Sequence, residues 1–165
     1  MDSENAQVAN FPAEPPNGRY SGKLDDKGRL KLPTVFQTFL GGLPEKVLFV
    51  TSVDLITAQI YPIGNWRENL KFFREQRGDN KKHAQALLFN AQDFGADTEM
   101  DSQGRVTLNS DLRQQLKLEA GDSVHLFWED GHVLMLTDEV YQQRRNASRA
   151  ITAEALENLQ GAGLQ

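Results

Sequence analysis

Two charged stretches, LDDKGRLKL at residues 24–32 and MDSQGRVTL at residues 100–108, each set an aspartate four positions ahead of an arginine with a glycine between them. The glycine supplies the positive φ that a tight reversal needs, and an aspartate opening such a turn accepts hydrogen bonds from its amides. The arginine adds a planar cation whose forked donors suit oxyanions. Asp25 with Arg29, and Asp101 with Arg105, can simply pair across each tip, and exposed pairs of this kind contribute only about 0–1 kcal/mol. A reversal requires the glycine but neither charged residue. Keeping both through a duplication in which most other positions drifted suggests a task beyond turning, and on the residues alone both accounts stand.

The elements that must hold these turns also recur. From Arg19 the pattern is extended, and Arg29, Leu30, Lys31 and Leu32 alternate polar with apolar, so a β-hairpin is expected around the first turn. Pro33 then opens a short helix carrying Val35, Phe36, Phe39 and Leu40, which Gly41-Gly42 stops. The β-rich runs 46–51 and 58–61 form a second strand pair. The later copy repeats this order: a hairpin about the DSQG turn, a helix over 110–116, and strands 123–128 and 132–136 around Glu129-Asp130-Gly131. Aligned by the 76-residue offset from Leu24 to Met100, the copies share Asp25/Asp101, Gly28/Gly104, Arg29/Arg105, Leu32/Leu108 and Leu40/Leu116. Between them, Asn65 and Glu68 resemble a capping box ahead of Trp66, Leu70 and Phe73, and Ala84, Leu87 and Leu88 suggest a second helix. A further helix is expected from Asp138. Residues 1–18, with Pro12, Pro15 and Pro16, are expected to stay unstructured. The divisions that follow are 1–18 tail, 19–66 first module, 67–94 helical linker, 95–138 second module, and 139–165 C-terminal helix and tail.

With 165 residues, 39% of them hydrophobic, the chain can build one ordinary domain or two very small ones. It contains no cysteine, which removes disulfides and thiolate metal sites, and no apolar run long enough for a membrane span or a secretory signal. The expected location is the cytoplasm. A net charge of -5 argues against a polyanionic partner. Yet Arg19, Lys23, Lys27, Arg29 and Lys31 surround the first turn while the acidic residues crowd the chain ends, so the local field there is positive.

Other chemistry finds little support. His83, His125 and His132 lack zinc-like spacing, and His125 is expected to face outward from its strand. Gly41-Gly42 has neither a Walker lysine nor a dinucleotide-binding pattern, and no serine or threonine sits in a nucleophile motif. Neither an enzyme, a cofactor nor a small-molecule substrate is expected. Phe72, Phe73, Phe89 and Phe94 are assigned to core or subunit-interface packing rather than to stacking on bases.

The D-x-K-G-R-x-x-x-P pattern of residues 25–33, its partner D-x-x-G-R at 101–105, and Tyr61-Pro62 with Trp66 resemble the MraZ family, whose two halves are SpoVT/AbrB-type modules. The resemblance spans roughly residues 19–141. It implies an α+β fold of two tandem swapped-hairpin modules, β-hairpin–helix–β-hairpin, around a pseudo-symmetric barrel-like core. It also implies a DNA-binding transcriptional regulator of the division and cell-wall gene cluster, associated with the nucleoid, that assembles into homo-oligomeric rings on direct repeats upstream of that cluster. Its DNA-facing residues would be Asp25, Arg29, Asp101 and Arg105, with Lys27 and Lys31 as further contacts. An arginine at such a tip can fork two donors onto guanine O6 and N7 or onto a phosphate while its aspartate orients the guanidinium. The second copy departs from the pattern, with Gln103 in place of Lys27 and Asn109-Ser110 in place of Pro33-Thr34, so the first turn is expected to dominate. No role is assigned to the exchange of Gln37 for Arg113. The rival readings are a single-module type of antitoxin with an acidic tail, disfavoured by the duplication, and a ring scaffold whose turns form subunit salt bridges.

Overall fold

The computed structural model describes residues 14–165, so most of the expected tail lies outside the described residues. The element order is β1 (Tyr20–Lys23), β2 (Arg29–Lys31), α1 (Thr34–Gly41), β3 (Leu48–Thr51), β4 (Ala58–Pro62), α2 (Ile63–Glu75), α3 (Asp79–Phe94), β5 (Ala96–Thr98), β6 (Arg105–Thr107), α4 (Ser110–Gln115), β7 (Ser123–Glu129), β8 (His132–Thr137), α5 (Asp138–Ala150) and α6 (Thr152–Gly161). Pro33 precedes α1 and Gly42 closes it, while Asn109 caps α4 by accepting from the Leu112 amide at 2.8 Å. The fold is α+β, and every strand pairing among the described residues is antiparallel.

The local hairpins expected around the two charged turns do not form as ladders. The first turn closes with the Asp25 amide donating to the Arg29 carbonyl and one bridge between Leu24 and Leu30. Gly22 lacks the Cβ that would stand 2.7 Å from a Leu30 methyl, so β1 crosses over Leu30 and pairs with β7 instead. In the second copy β5 pairs with β3. The strands following the turns, β2 and β6, pair with each other as a separate two-stranded ribbon, with Arg29 opposite Thr107, Leu30 opposite Val106 and Lys31 opposite Arg105. The other pairs, β3–β4 and β7–β8, form as the sequence predicts.

The larger sheet runs β1-β7-β8-β4-β3-β5 and stays open, with β1 and β5 at its edges, so the expected barrel-like core is not found. Withdrawing β2 and β6 into their own ribbon leaves no strand to close it. Under the ribbon, Leu30, Val106, Phe36 and Leu112 are fully buried together with Leu126 and Met135 of the sheet. A smaller cluster of Phe49, Tyr61, Trp66 and Ala91 lies beneath α2 and α3, with Phe49 and Trp66 stacked 4.5 Å apart.

The capping-box reading of Asn65 also needs correction. The helix α2 starts earlier, behind Pro62, and the Asn65 amide donates to the Gly131 carbonyl of the β7–β8 turn at 2.6 Å. Proline at the helix entrance already fixes φ, which leaves the asparagine free for a long-range contact. Phe73 and Phe94 pack inward as assigned, whereas Phe72 and Phe89 remain 61% and 69% exposed.

Candidate nucleic-acid interface

Both turns are built alike. In the first, Asp25 Oδ1 accepts from the amides of Lys27 (2.9 Å) and Arg29 (2.8 Å), and Asp25 Oδ2 accepts from Arg29 Nε at 2.8 Å. In the second, Asp101 Oδ1 accepts from Gln103 (2.9 Å) and Arg105 (2.9 Å), and its Oδ2 accepts from Arg105 Nε at 2.6 Å. Gly28 and Gly104 sit at φ +75° and +76°, where a side chain would be strained. The aspartate thus satisfies the turn and orients the guanidinium with one carboxylate. Because each guanidinium is held through Nε alone, its two terminal amino groups have no hydrogen-bond partner among the described residues.

The ribbon brings the two tips onto one surface. Leu30 and Val106 point into the core, so Arg29 and Lys31 of β2, and Arg105 and Thr107 of β6, share the opposite face. Arg29 and Arg105 are diagonal neighbours across the pair, roughly 7–8 Å apart at the backbone. Their side chains are 28% and 25% exposed, so each is partly covered and partly open to solvent. Asp25, Asp101, Arg29, Arg105 and Lys31 therefore belong to one face. Lys27 lies exposed at the first tip.

Each tip is buttressed by the other copy. The Leu108 amide donates to the Gly28 carbonyl at 2.9 Å, and the Leu32 amide donates to the Gly104 carbonyl at 3.0 Å. Arg113 of α4 lies over Gly28, and Gln37 of α1 lies over Gly104, so closely that a methyl on either glycine would meet them at 2.7 Å and 2.1 Å. Arg113 donates through its guanidinium Nε to Leu108 O (3.1 Å), and Gln37 donates through its amide Nε2 to Leu32 O (2.6 Å). This gives the Gln37/Arg113 exchange a location, since the two positions bear on each other's turns. The signal in sequence was their shared 76-residue offset, but nothing in the chain says that the strands cross.

The backbone bonds from Arg29 and Arg105 hold the Asp25 and Asp101 carboxyls below the ordinary carboxylate value of 3.8. A depressed folded-state pKa means that both turns are stabilised above that value and lose this support as pH falls through the lowered one. The acid limb of a pH–stability curve should accordingly be shallower for Asp25→Asn/Asp101→Asn than for the unaltered chain. Equal slopes in chemical unfolding below pH 4 would contradict this.

Elsewhere, His125 does not face outward. It is nearly buried, stacked 3.9 Å from Tyr141 of α5, with Nδ1 3.0 Å from Arg19 Nη1 and Nε2 2.8 Å from Asp138 Oδ1. The helix α5 folds back over β7 and covers the position that alternation alone would expose. Among the described residues no three His, Asp or Glu side chains gather to hold a metal, and no helix is long and apolar enough to cross a membrane.

No family model matches the chain. Among curated proteins it is 31% identical over 147 residues to the transcriptional regulator MraZ of Acidobacterium capsulatum, covering 89% of this chain and 98% of the relative. The MraZ regulator of Koribacter versatilis is 28% identical over the same shares of both chains, and that of a Mycobacterium species is 36% identical over 61% of this chain and 67% of its own. Identity at that level across nearly the whole of a relative, together with the paired D-x-x-x-R turns, shows that the chain belongs to the MraZ family.

Proposed function

We propose that the chain is a sequence-specific DNA-binding regulator of transcription that presents the ribbon face to the major groove. The observation that carries this is the tethering of Arg29 and Arg105 through Nε alone, which leaves the two terminal amino groups of each guanidinium without a partner among the described residues. That fork matches guanine O6 and N7, or a phosphate. Asp25 and Asp101 act as positioning residues, and Lys27 and Lys31 neutralise phosphates beside the arginines. Two tandem swapped-hairpin modules, residues 19–66 and 95–138, joined by the linker 67–94 and followed by residues 139–165, supply one turn each. Exchange of β1, β2, β5 and β6 between the copies supports that division of labour.

Copies of the chain assemble as a homo-oligomeric ring on direct repeats upstream of the division and cell-wall gene cluster, in contact with the nucleoid. The exposed Phe72 and Phe89 on the α2–α3 hairpin support self-association, since large apolar groups left in water favour a covering partner. Joining several tips on one ring raises avidity by about 10²–10⁴ without a new kind of contact. Footprinting on the DNA upstream of the chain's own gene should protect regularly spaced boxes. Binding should weaken steeply with salt, as counterion release requires, and a response flat in salt would overturn the proposal.

A further inference from the structure

We infer that the second turn, although the less basic one in sequence, is the stronger electrostatic anchor on DNA, because the ribbon hands it two lysines from the first copy. The inference rests on the reading that the ribbon face meets duplex DNA. At the tips themselves the copies do not differ in net charge: Lys27 is offset by Asp26, and Ser102 and Gln103 are neutral. The difference lies in the rows that cross the strands behind each tip. Lys31 stands directly opposite Arg105. Lys23 and Lys31 each sit one residue outside the Leu24–Leu30 bridge and line one groove, and Ser123 pairs with Lys23 from the far side.

Both lysines are exposed, and with Ser21, Thr34 and Ser123 they line a groove of about 480 Å³. With strands roughly 4.8 Å apart, the row Lys23–Lys31–Arg105 places three cationic side chains within about 10 Å, the last of them paired with Asp101. Behind the first tip, Thr107 stands opposite Arg29, and the residue 76 positions after Lys23 is Glu99, an exposed carboxylate. Arg113 adds a cation at that end, but its Nε is committed to Leu108 O and its side chain lies against Gly28. Two lysines with no salt-bridge partner among the described residues therefore back the tip that bears Arg105, itself paired with Asp101, while the equivalent positions of the second copy hold a carboxylate and a hydroxyl. Antiparallel pairing moves the charge of the first copy's strand onto the second copy's turn, and the face becomes polar end to end. Such a face grips the phosphate backbone mainly through its second end and settles on a duplex in one direction.

The test measures binding of the full chain to a fluorescent duplex carrying its own upstream DNA across a salt series, with circular dichroism to confirm folding. The variant K23Q/K31Q should lower the slope of log affinity against log salt by about two and weaken binding roughly 30-fold at 0.15 M salt, whereas K27Q should lower the slope by about one at most and weaken binding by no more than roughly 5-fold. Adding E99K/T107K to K23Q/K31Q should restore most of the slope by rebuilding the row behind the other tip. A loss in K27Q equal to or larger than that in K23Q/K31Q would overturn the inference while leaving DNA binding in place. Absence of salt-dependent binding by the unaltered chain would instead remove the DNA reading itself.

Discussion

Replacing Arg29 and Arg105 together by alanine should leave the fold standing and abolish the proposed promoter binding. Each guanidinium is tied to the protein only by Nε and a partly exposed carboxylate, a type of pair that contributes about 0–1 kcal/mol, so its removal barely touches stability. A bidentate arginine–guanine contact, by contrast, is worth about 1–3 kcal/mol of discrimination, so loss of two per chain should weaken specific binding by about 30-fold or more. Gel-shift titration alongside size-exclusion chromatography checks both halves of the expectation. Disassembly of the oligomer with no prior DNA affinity to lose would favour a scaffold in which the turns bridge subunits. The aspartates should behave differently. Asp25→Ala strands two turn amides as well as the guanidinium, so it costs more stability than Arg29→Ala while weakening DNA binding through misorientation.

The second large effect lies under the ribbon. Phe36 is fully buried, packs edge-on against Tyr20 with ring centres 5.3 Å apart, and supports Leu30 from below. Phe36→Ala should cost about 3–5 kcal/mol, and the equivalent change in the second copy, Leu112→Ala, about 2–5 kcal/mol. Against a typical total of about 5–15 kcal/mol, either is a large share, and the melting temperature should fall by roughly 6–20 °C for the phenylalanine. Urea unfolding at a fixed protein concentration measures it, since association would otherwise shift the midpoint. A loss under 1 kcal/mol would mean that the core under the ribbon is not packed as described. DNA affinity per folded molecule should change little.

The sequence announced the turns almost completely. Asp, Gly and Arg at fixed spacing specify the hydrogen bonds within five residues, and those bonds form in both copies as local chemistry dictates. The helices α1 and α4 and the strand pairs β3–β4 and β7–β8 were legible for the same reason, because their signals lie within short windows. The partners of β1, β2, β5 and β6 were not. Alternation says which face of a strand is buried but not which strand lies beside it, and a turn closed by a single bridge reads in sequence like an ordinary hairpin. The same blindness hid Lys31 opposite Arg105, and hid Arg113 over Gly28, since these contacts cross more than 70 residues. His125 failed for a related reason: period-two alternation cannot foresee a helix arriving later in the chain to cover a face of the sheet.

The pairing of Tyr20 with Leu126 has a consequence for how the molecule is born. A ribosome adding about 5–20 residues per second exposes β1 for about 5–20 s before β7 has been made. During that interval the leading strand has an open edge and no mate, as does β2 while it waits for β6. Translation speed through the α2–α3 segment therefore sets how long the nascent chain stays vulnerable to pairing with its neighbours on the same messenger. Slowing elongation there should lower the soluble yield without altering a single residue of the finished protein.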